Sequence, residues 1–315
     1  MKLMSKIALI PVLIVGAACG GGAPEATGEH AIKVVATTNI VADLVRTIGG
    51  PRVEVEDLMG PGIDPHLYKA SAGDVRRMSS AQAIFYSGLH LEGKMSEVLE
   101  KMGERGMRTV AVAECVPEED LISSTGFSGL HDPHVWFDVG LWSQTVGCVA
   151  ETLAALDPDH TEEYRQRAAD YAEELRALDA WIGERVQVLA PDQRILVTAH
   201  DAFGYFGRAY GFEVRGLLGV STASEAGTSD VQVLADFIVE HEIPAIFVET
   251  SVPPRYVQAL QEAVRARGFA VEIGGSLYSD SLGDYGTPVG SYAGTVRANV
   301  DTIVTALETV ESDKE

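Results

Sequence analysis

The sequence predicts an α/β protein of two lobes, each with an approximately four-stranded parallel sheet flanked by helices, joined by one long rigid helix. Three observations carry this expectation. Short β-rich apolar runs alternate with helical patterns from Ile32 to Val112, which implies a parallel sheet covered on both faces. The same alternation restarts at Ile195 and continues to Ile273. Between the two stretches, Tyr164, Ala168, Tyr171, Leu175, Leu178, Ile182, Val186 and Leu189 recur three or four residues apart, the stripe of one continuous helix.

The first residues lie outside this pattern. A basic start with Lys2 and Lys6 and a short apolar run from Ile7 to Val15 read as a signal peptide over 1–18, too short to span a membrane. Small residues before Cys19 resemble a bacterial lipobox, in which Cys19 carries lipid and begins the mature chain. Gly16 departs from the leucine usual at that place, so ordinary cleavage stays open as an alternative. Residues 19–30 are rich in glycine and lack apolar period, and read as a flexible tether.

The first lobe is placed at 31–156. Ile32–Thr37, Val53–Met59, Ala83–Ser87 and Thr109–Val112 read as its strands. Helical patterns lie at 40–48, 70–78 and 91–102, the first stopped by Gly49-Gly50-Pro51. A connection without period, 114–130, leads to a helix at 139–156. Asp157-Pro158 looks like an N-cap with proline at the first helical position. The lobe-spanning helix is placed at 157–190, and about 32 helical residues at about 1.5 Å each give roughly 48 Å. The alternative is two stacked helices broken near Gly183. The second lobe, 191–315, has strand patterns at 195–198, within 212–217, at 245–249 and at 269–273, with helices at 202–210, 230–241, 254–267 and 293–310.

Composition narrows the function. The chain has 315 residues, 46% hydrophobic and 22% charged, a globular composition with room for two lobes. Its formal charge of -22 becomes -24 once Lys2 and Lys6 leave with the signal peptide. That charge argues against nucleic acid or an anionic membrane surface as partner. Cys115 and Cys148 are free to pair in an oxidising compartment, and a buried free thiol at Cys148 is the alternative.

Ligands of open α/β sheets bind beyond the carboxyl ends of the strands, and here imidazoles and carboxylates stand at nearly every strand exit. His66 follows the second strand, within Ile63-Asp64-Pro65-His66. His131-Asp132-Pro133-His134-Val135-Trp136-Phe137-Asp138 follows the fourth, with two imidazoles among its eight residues. In the second lobe the exits carry His200-Asp201, Glu249 and Asp280. Of the eight histidines, His30 lies in the tether, His160 and His241 lie at solvated helix ends, and His90 reads as structural. His66, His134, His200 and Asp280 form the best metal-ligand set, with His131 competing with His134.

Five motifs then resemble the zinc/manganese-binding lipoproteins of bacterial ABC importers, the cluster A-I receptors, and TroA-type proteins in particular. They are Gly62-Ile63-Asp64-Pro65-His66-Leu67-Tyr68, Asp132-Pro133-His134-Val135-Trp136-Phe137-Asp138, Val197-Thr198-Ala199-His200-Asp201-Ala202-Phe203-Gly204-Tyr205-Phe206, Gly219-Val220-Ser221-Thr222 and Gly274-Gly275-Ser276-Leu277-Tyr278-Ser279-Asp280. The resemblance spans about residues 32–310. It implies one metal bound by His66, His134, His200 and Asp280, and leaves His131 at the rim. It also implies a monomeric receptor, not an enzyme, that is exported, anchored at the membrane through lipid on Cys19, and hands its ion to permease subunits driven by an ATPase. The His-rich acidic loop of zinc-type members has no counterpart at 114–130.

Three imidazoles and one carboxylate suit tetrahedral Zn2+, while a bidentate Asp280 admits Mn2+ or Fe2+. Asp64, Asp132, Asp201 and Glu249 are candidates for fixing the imidazole tautomers from behind. Trp136 and Phe137 are expected to pack beneath the Asp132-Pro133 turn. The rival reading is a secreted zinc-dependent hydrolase with Glu249 as base, although no His-Glu-x-x-His motif is present. Surface tethering is also compatible with cell adhesion, which has no sequence feature of its own.

Overall fold

The computed structural model describes residues 31–123, 130–224 and 226–308. The expected signal peptide, Cys19 and the tether with His30 lie outside the described residues. The first half runs β1 (Ile32–Thr38), α1 (Asn39–Gly49), β2 (Val53–Met59), α2 (Ala72–Ser80), β3 (Ala83–Tyr86), α3 (Ser96–Glu104) and β4 (Arg108–Ala111). Its strands form one parallel sheet in the order β2-β1-β3-β4, with Val34 opposite both Val55 and Ala83. β1 lies inside the sheet, and all its residues but Lys33 are buried, as its apolar run requires. Local signals start the helices. Thr38 caps α1 by accepting from Val41 N–H, and Ser71 and Asp74 form a capping box on α2. α3 begins later than its apolar pattern suggests because Gly88, Leu89 and His90 all take positive φ ahead of it.

The strand order reverses between β1 and β3, the crevice where such sheets commonly hold a ligand. Here the buried Glu92 carboxylate fills it, accepting from Thr37 Oγ1 at 2.6 Å and from the backbone N–H groups of Ser87 and Gly88.

α4 (Val139–Leu156) is capped by the Asp138 side chain, which accepts from Leu141 N–H. α5 (Thr161–Arg185) follows, with 3-10 turns at Pro158–His160 and Val186–Val188 extending the helical run at both ends. It passes Gly183 without a break, since packing of its stripe outweighs the about 1 kcal/mol that one glycine costs a helix. Its buried residues are Tyr164, Ala168, Tyr171, Leu175, Leu178 and Ile182, the face the spacing predicts.

The second half contains β5 (Ile195–His200), α6 (Gly204–Tyr210), β6 (Glu213–Leu218), α7 (Thr228–Glu240), β7 (Ala245–Glu249), α8 (Arg255–Arg265), β8 (Glu272–Leu277) and α9 (Tyr292–Glu308). Its four strands are bonded as two parallel pairs, β5 with β6 and β7 with β8. β5 and β7 are neighbours without a ladder, and at their carboxyl ends the Glu249 side chain takes the His200 N–H. β8 lies further along the chain than the apolar run at 269–273, because it runs through Gly274-Gly275 with a register shift opposite Ile246 and Phe247.

One hydrophobic core joins the two halves. It runs from Val34 and Leu44 through Trp142 and the α5 stripe to Phe203, Phe247 and Val300 on α9. Two smaller clusters lie outside it, one under α7 and α8 and one under α2 and α3 that includes Met59, Met78, Met95 and Met102.

Cys115 and Cys148 form a disulfide, their Cα atoms 6.4 Å apart, that ties the exit of β4 to α4. It closes a loop across 33 residues. The double variant Cys115→Ser/Cys148→Ser is expected to lose about 3–4 kcal/mol of stability through loop-closure entropy. Urea unfolding reads this directly, and an unchanged midpoint would contradict it.

Candidate metal centre

Four side chains from four strand exits meet at one point. His66 sits in the turn after β2, where Asp64 Oδ1 accepts its backbone N–H at 2.9 Å. His134 lies just before the 3-10 turn Val135–Phe137 that leads to α4. Asp132 Oδ1 accepts both its backbone N–H and its ring Nδ1–H, at 2.9 and 2.7 Å. His200 is the last residue of β5, and Glu249 holds it in the same way, with Oε1 on the backbone N–H and Oε2 2.5 Å from Nδ1. These carboxylates fix the tautomers of His134 and His200, leaving each Nε2 to face the centre.

Asp280 follows β8 and is gripped from both sides of the molecule. Trp136 Nε1–H donates to Ser279 O at 3.0 Å. The Asn39 amide exchanges two hydrogen bonds with the backbone of Leu282, and Gly62 N–H donates to Ser281 Oγ. On the other side, Asn299 of α9 exchanges two with the backbone of Tyr278.

The four side chains are buried, and each offers one ligand atom within 4.8 Å of all the others. His134 Nε2 lies 3.4 Å from Asp280 Oδ1. His200 Nε2 lies 3.4 Å from Oδ2, and His66 Nε2 lies 4.0 Å from it. His66 Nε2, His134 Nε2, His200 Nε2 and Asp280 Oδ1 are buried without a hydrogen-bond partner. Orphaned polar atoms are costly in a protein interior, and four converging on one point call for an occupant. Donors bonded at about 2.0–2.1 Å to one tetrahedral ion lie about 3.4 Å apart. The arrangement therefore fits a divalent cation held by three nitrogens and carboxylate oxygen.

The protonation of these groups in the metal-free protein follows from the same contacts. Burial opposes charge on His134, but Asp132 and Asp280 outweigh it and raise its pKa to about 9. Burial opposes charge on His200 too, and Glu249 and Asp280 raise it well above the ordinary value. His66 lacks such a carboxylate at its back, and burial lowers its pKa to about 3 although Asp280 opposes this. Against burial, the imidazoles hold Asp280 well below the usual carboxylate range.

The remaining candidates are placed differently. Asp64 contacts no imidazole. It links His66 N–H to Thr222 Oγ1, the latter at 2.6 Å across the two halves. Asp201 lies one residue beyond β5. It lines a separate cleft of about 750 Å³ against β6 and α7, and among the described residues it holds no ring nitrogen. His131 lies apart from the four, its Nε2 3.7 Å from Glu118. His90 is exposed in its positive-φ turn. His160 binds Asp157 and His241 binds Phe237 O, both at helix ends. Trp136 packs edge-on against the His134 ring at 5.2 Å, and Phe137 packs on Phe203. Thr222 and Trp136 lie in two of the motifs, but their hydrogen bonds to Asp64 and Ser279, like the part played by Asn39, reach segments far away in the chain and carry no local sequence signal.

Gly216 of β6 also supports the site. A Cβ there would come within 2.6 Å of the His200 carbonyl carbon. Gly216→Ala is expected to displace the end of β5, costing about 1–3 kcal/mol of stability and weakening metal binding. Thermal melting and calorimetry test both effects, and a variant that melts and binds like wild type would contradict the close approach.

Comparison with known proteins follows the same line. Residues 34–306 match the family profile described as ZnuA, zinc-uptake complex component A, periplasmic. The chain is 51% identical over 287 residues to zinc-binding protein TroA of Treponema pallidum, covering 91% of this chain and 92% of that one. It is 45% identical over 290 residues to manganese-binding lipoprotein MntA of Bacillus subtilis, covering 92% and 94%. The solved structure of the periplasmic zinc-binding protein TroA superposes with a TM-score of 0.86 over 88% of this chain and 99% of that one.

Proposed function

We propose a function for this chain on the ground that it belongs to the ZnuA family, the periplasmic component A of zinc-uptake complexes. It is a metal-capture receptor. It binds one divalent transition-metal ion through His66, His134, His200 and Asp280 and delivers it to an ABC permease with its ATPase. The observation that carries this reading is the set of four buried, unpartnered ligand atoms converging within 4.8 Å. The cargo is Zn2+ or Mn2+, with Fe2+ admitted by the same donors. The relatives' own names divide between zinc and manganese.

In this reading the protein acts outside the cytoplasm as a monomer, anchored by lipid on Cys19. Residues 31–156 and 191–315 serve as the lobes and 157–190 as their rigid join. Among the described residues no helix is long and apolar enough to cross a membrane. Because one core joins the halves, release proceeds by local displacement of loops rather than by a wide hinge. The Asp64–Thr222 and Gly62–Ser281 contacts are the first to part.

The hydrolase reading is less well supported. Catalytic zinc keeps an open position and a free base nearby. Here four protein donors surround the point, and both oxygens of Glu249 are committed to His200. Uptake of radioactive zinc and manganese in a strain lacking the gene, complemented with wild type or His200→Ala, tests the proposal. Wild type is expected to restore uptake of one metal and the variant is not. Uptake unaffected by loss of the gene would sink the transport role.

A further inference from the structure

A second cleft lies at the end of the first sheet opposite the metal centre. β3 begins at Ala83 and β4 at Arg108, and these two residues pair across the ladder. Beside them a cleft of about 620 Å³ opens, lined by Ser79, Gln82, Met102, Arg105, Met107 and Arg108 among others. Gly106, at a φ of 83°, turns the chain from α3 into β4 and brings both arginines to the same cleft. Among the described residues no carboxylate lines it, and Glu104, which precedes Arg105, lines a separate cleft.

Arg46, Arg77, Arg165 and Arg267 each hold a carboxylate, as expected in a chain with 46 acidic and 24 basic residues. Among the described residues Arg105 and Arg108 have no such partner. A cation at Arg105 complements the last turn of α3. Arg108 opens a strand, where that reason does not apply. Two unpaired guanidiniums around one cleft supply the planar, forked donors that grip a phosphate. Gln82 Oε1 is taken by Lys33 N–H at 3.0 Å, which leaves the amide N–H groups of Gln82 as further donors. Met102 and Met107 give the same wall an apolar part.

We propose that this cleft binds the phosphate of a phospholipid headgroup in the membrane that holds the Cys19 lipid. Gln82 also donates its backbone N–H to Lys33 O at 2.8 Å, and Lys33 stands two residues after Ala31, where the described chain begins. Residues 19–30 come directly before, and at full extension they span only about 40 Å. Inorganic phosphate carries the same charge but has nothing to lay against Met102 and Met107, whereas the glycerol of a lipid does. The net charge of the chain repels an anionic surface from a distance. Exposed charges are screened beyond about 8 Å at physiological ionic strength, so at contact the two local cations decide. The consequence is orientation. His66 follows the carboxyl end of β2, while the cleft lies at the amino ends of β3 and β4. A molecule held by the cleft turns its metal centre away from the membrane, toward arriving ions, and must let go of the headgroup before delivery.

The lipid as source rests on the anchored reading of Cys19, and the test separates the two. Full-length protein is titrated with monomeric short-chain phosphatidylglycerol and, separately, with inorganic phosphate, followed by phosphorus NMR. Wild type is compared with Arg105→Gln/Arg108→Gln and Arg105→Lys/Arg108→Lys. Both arginines are exposed, so neither pair of changes disturbs the core. Unchanged Zn2+ binding checks the fold, and the residues before 31 are the same in every variant, so a difference between them reports the cleft. Wild type is expected to take one equivalent of the lipid, more tightly than inorganic phosphate. The glutamine variant is expected to bind the lipid about a hundredfold more weakly, about tenfold for each arginine, the low end for a hydrogen bond to a charged group. The lysine variant keeps the charge without the fork and is expected to fall between. Equal lipid affinity in wild type and the glutamine variant would overturn the proposal, as would tighter binding of inorganic phosphate than of the lipid. The anchored reading fails by a separate result, wild-type protein recovered in the soluble fraction of the cells that make it while its cleft still binds the short-chain lipid.

Discussion

Replacing Asp280 by Asn is expected to lower the affinity for both Zn2+ and Mn2+ by about three orders of magnitude. Asp280 is the only anionic member of the four and is buried. The other three are imidazoles, which coordinate as neutral donors. Removing the carboxylate charge leaves a divalent ion among neutral donors in a medium that screens poorly. Losing one partner of a buried charge pair typically costs about 3–5 kcal/mol, and about 4 kcal/mol corresponds to a thousandfold change in Kd. Asn preserves the volume, and Trp136, Asn39 and Gly62 bind groups of Ser279, Ser281 and Leu282 rather than the Asp280 carboxylate. The loss should therefore appear in binding far more than in folding. Competition against a chromophoric chelator measures it, with thermal melting of the metal-free variant as control. A loss smaller than about tenfold would be incompatible with direct coordination by a buried carboxylate.

Metal affinity is expected to rise steeply with pH. In the metal-free protein His134 is raised to about 9 and His200 well above its ordinary value, so near neutrality both carry a proton on the nitrogen that faces the centre. His66 is lowered to about 3 and carries none. Binding must expel two protons, and apparent affinity then rises by about a hundredfold per pH unit below the raised values. The slope is expected from pH 6 to 8 and falls as His134 begins to titrate near 9. For the metal-free protein the sign is opposite. The raised pKa of His134 contributes stability that is complete below its ordinary value of 6.5 and is lost as pH rises through about 9. Calorimetry in two buffers of different ionisation enthalpy counts the protons directly. A count of zero at pH 7 would refute this protonation scheme.

Much of this was legible in the sequence, for identifiable reasons. The strands of the first half and the α5 stripe carry their information locally, in apolar runs and in a period of three to four residues. His66, His134, His200 and Asp280 stand out because each follows a strand and chemistry-bearing side chains gather at strand exits. What the sequence hid is relational. Asp132 and Asp64 occupy the same Asp-Pro-His setting, yet one holds an imidazole and the other a threonine across the molecule. Asp201 and Glu249 are both candidates for orienting an imidazole, and it is Glu249, 49 residues away in the chain, that meets His200. The beginning of β8 was misplaced because Gly274-Gly275 sits inside a strand that pattern reading ends before it. The disulfide depended on a distance that no spacing supplies.

The single core has a consequence for the order in which the molecule can assemble. α9 is the last described element, and its Val300, Ile303 and Val304 are buried in the same cluster as Val34 of the first strand. Asn299 on that helix holds the backbone beside Asp280. A nascent chain that has not yet released α9 lacks one wall of its interior and the clamp on the backbone beside Asp280. Long-range closures of this kind are slow, since the entropy of bringing distant segments together is spent before their contacts form. On the proposed ligand set, binding competence is expected to arrive late, with the last described helix, rather than accumulating as each histidine emerges.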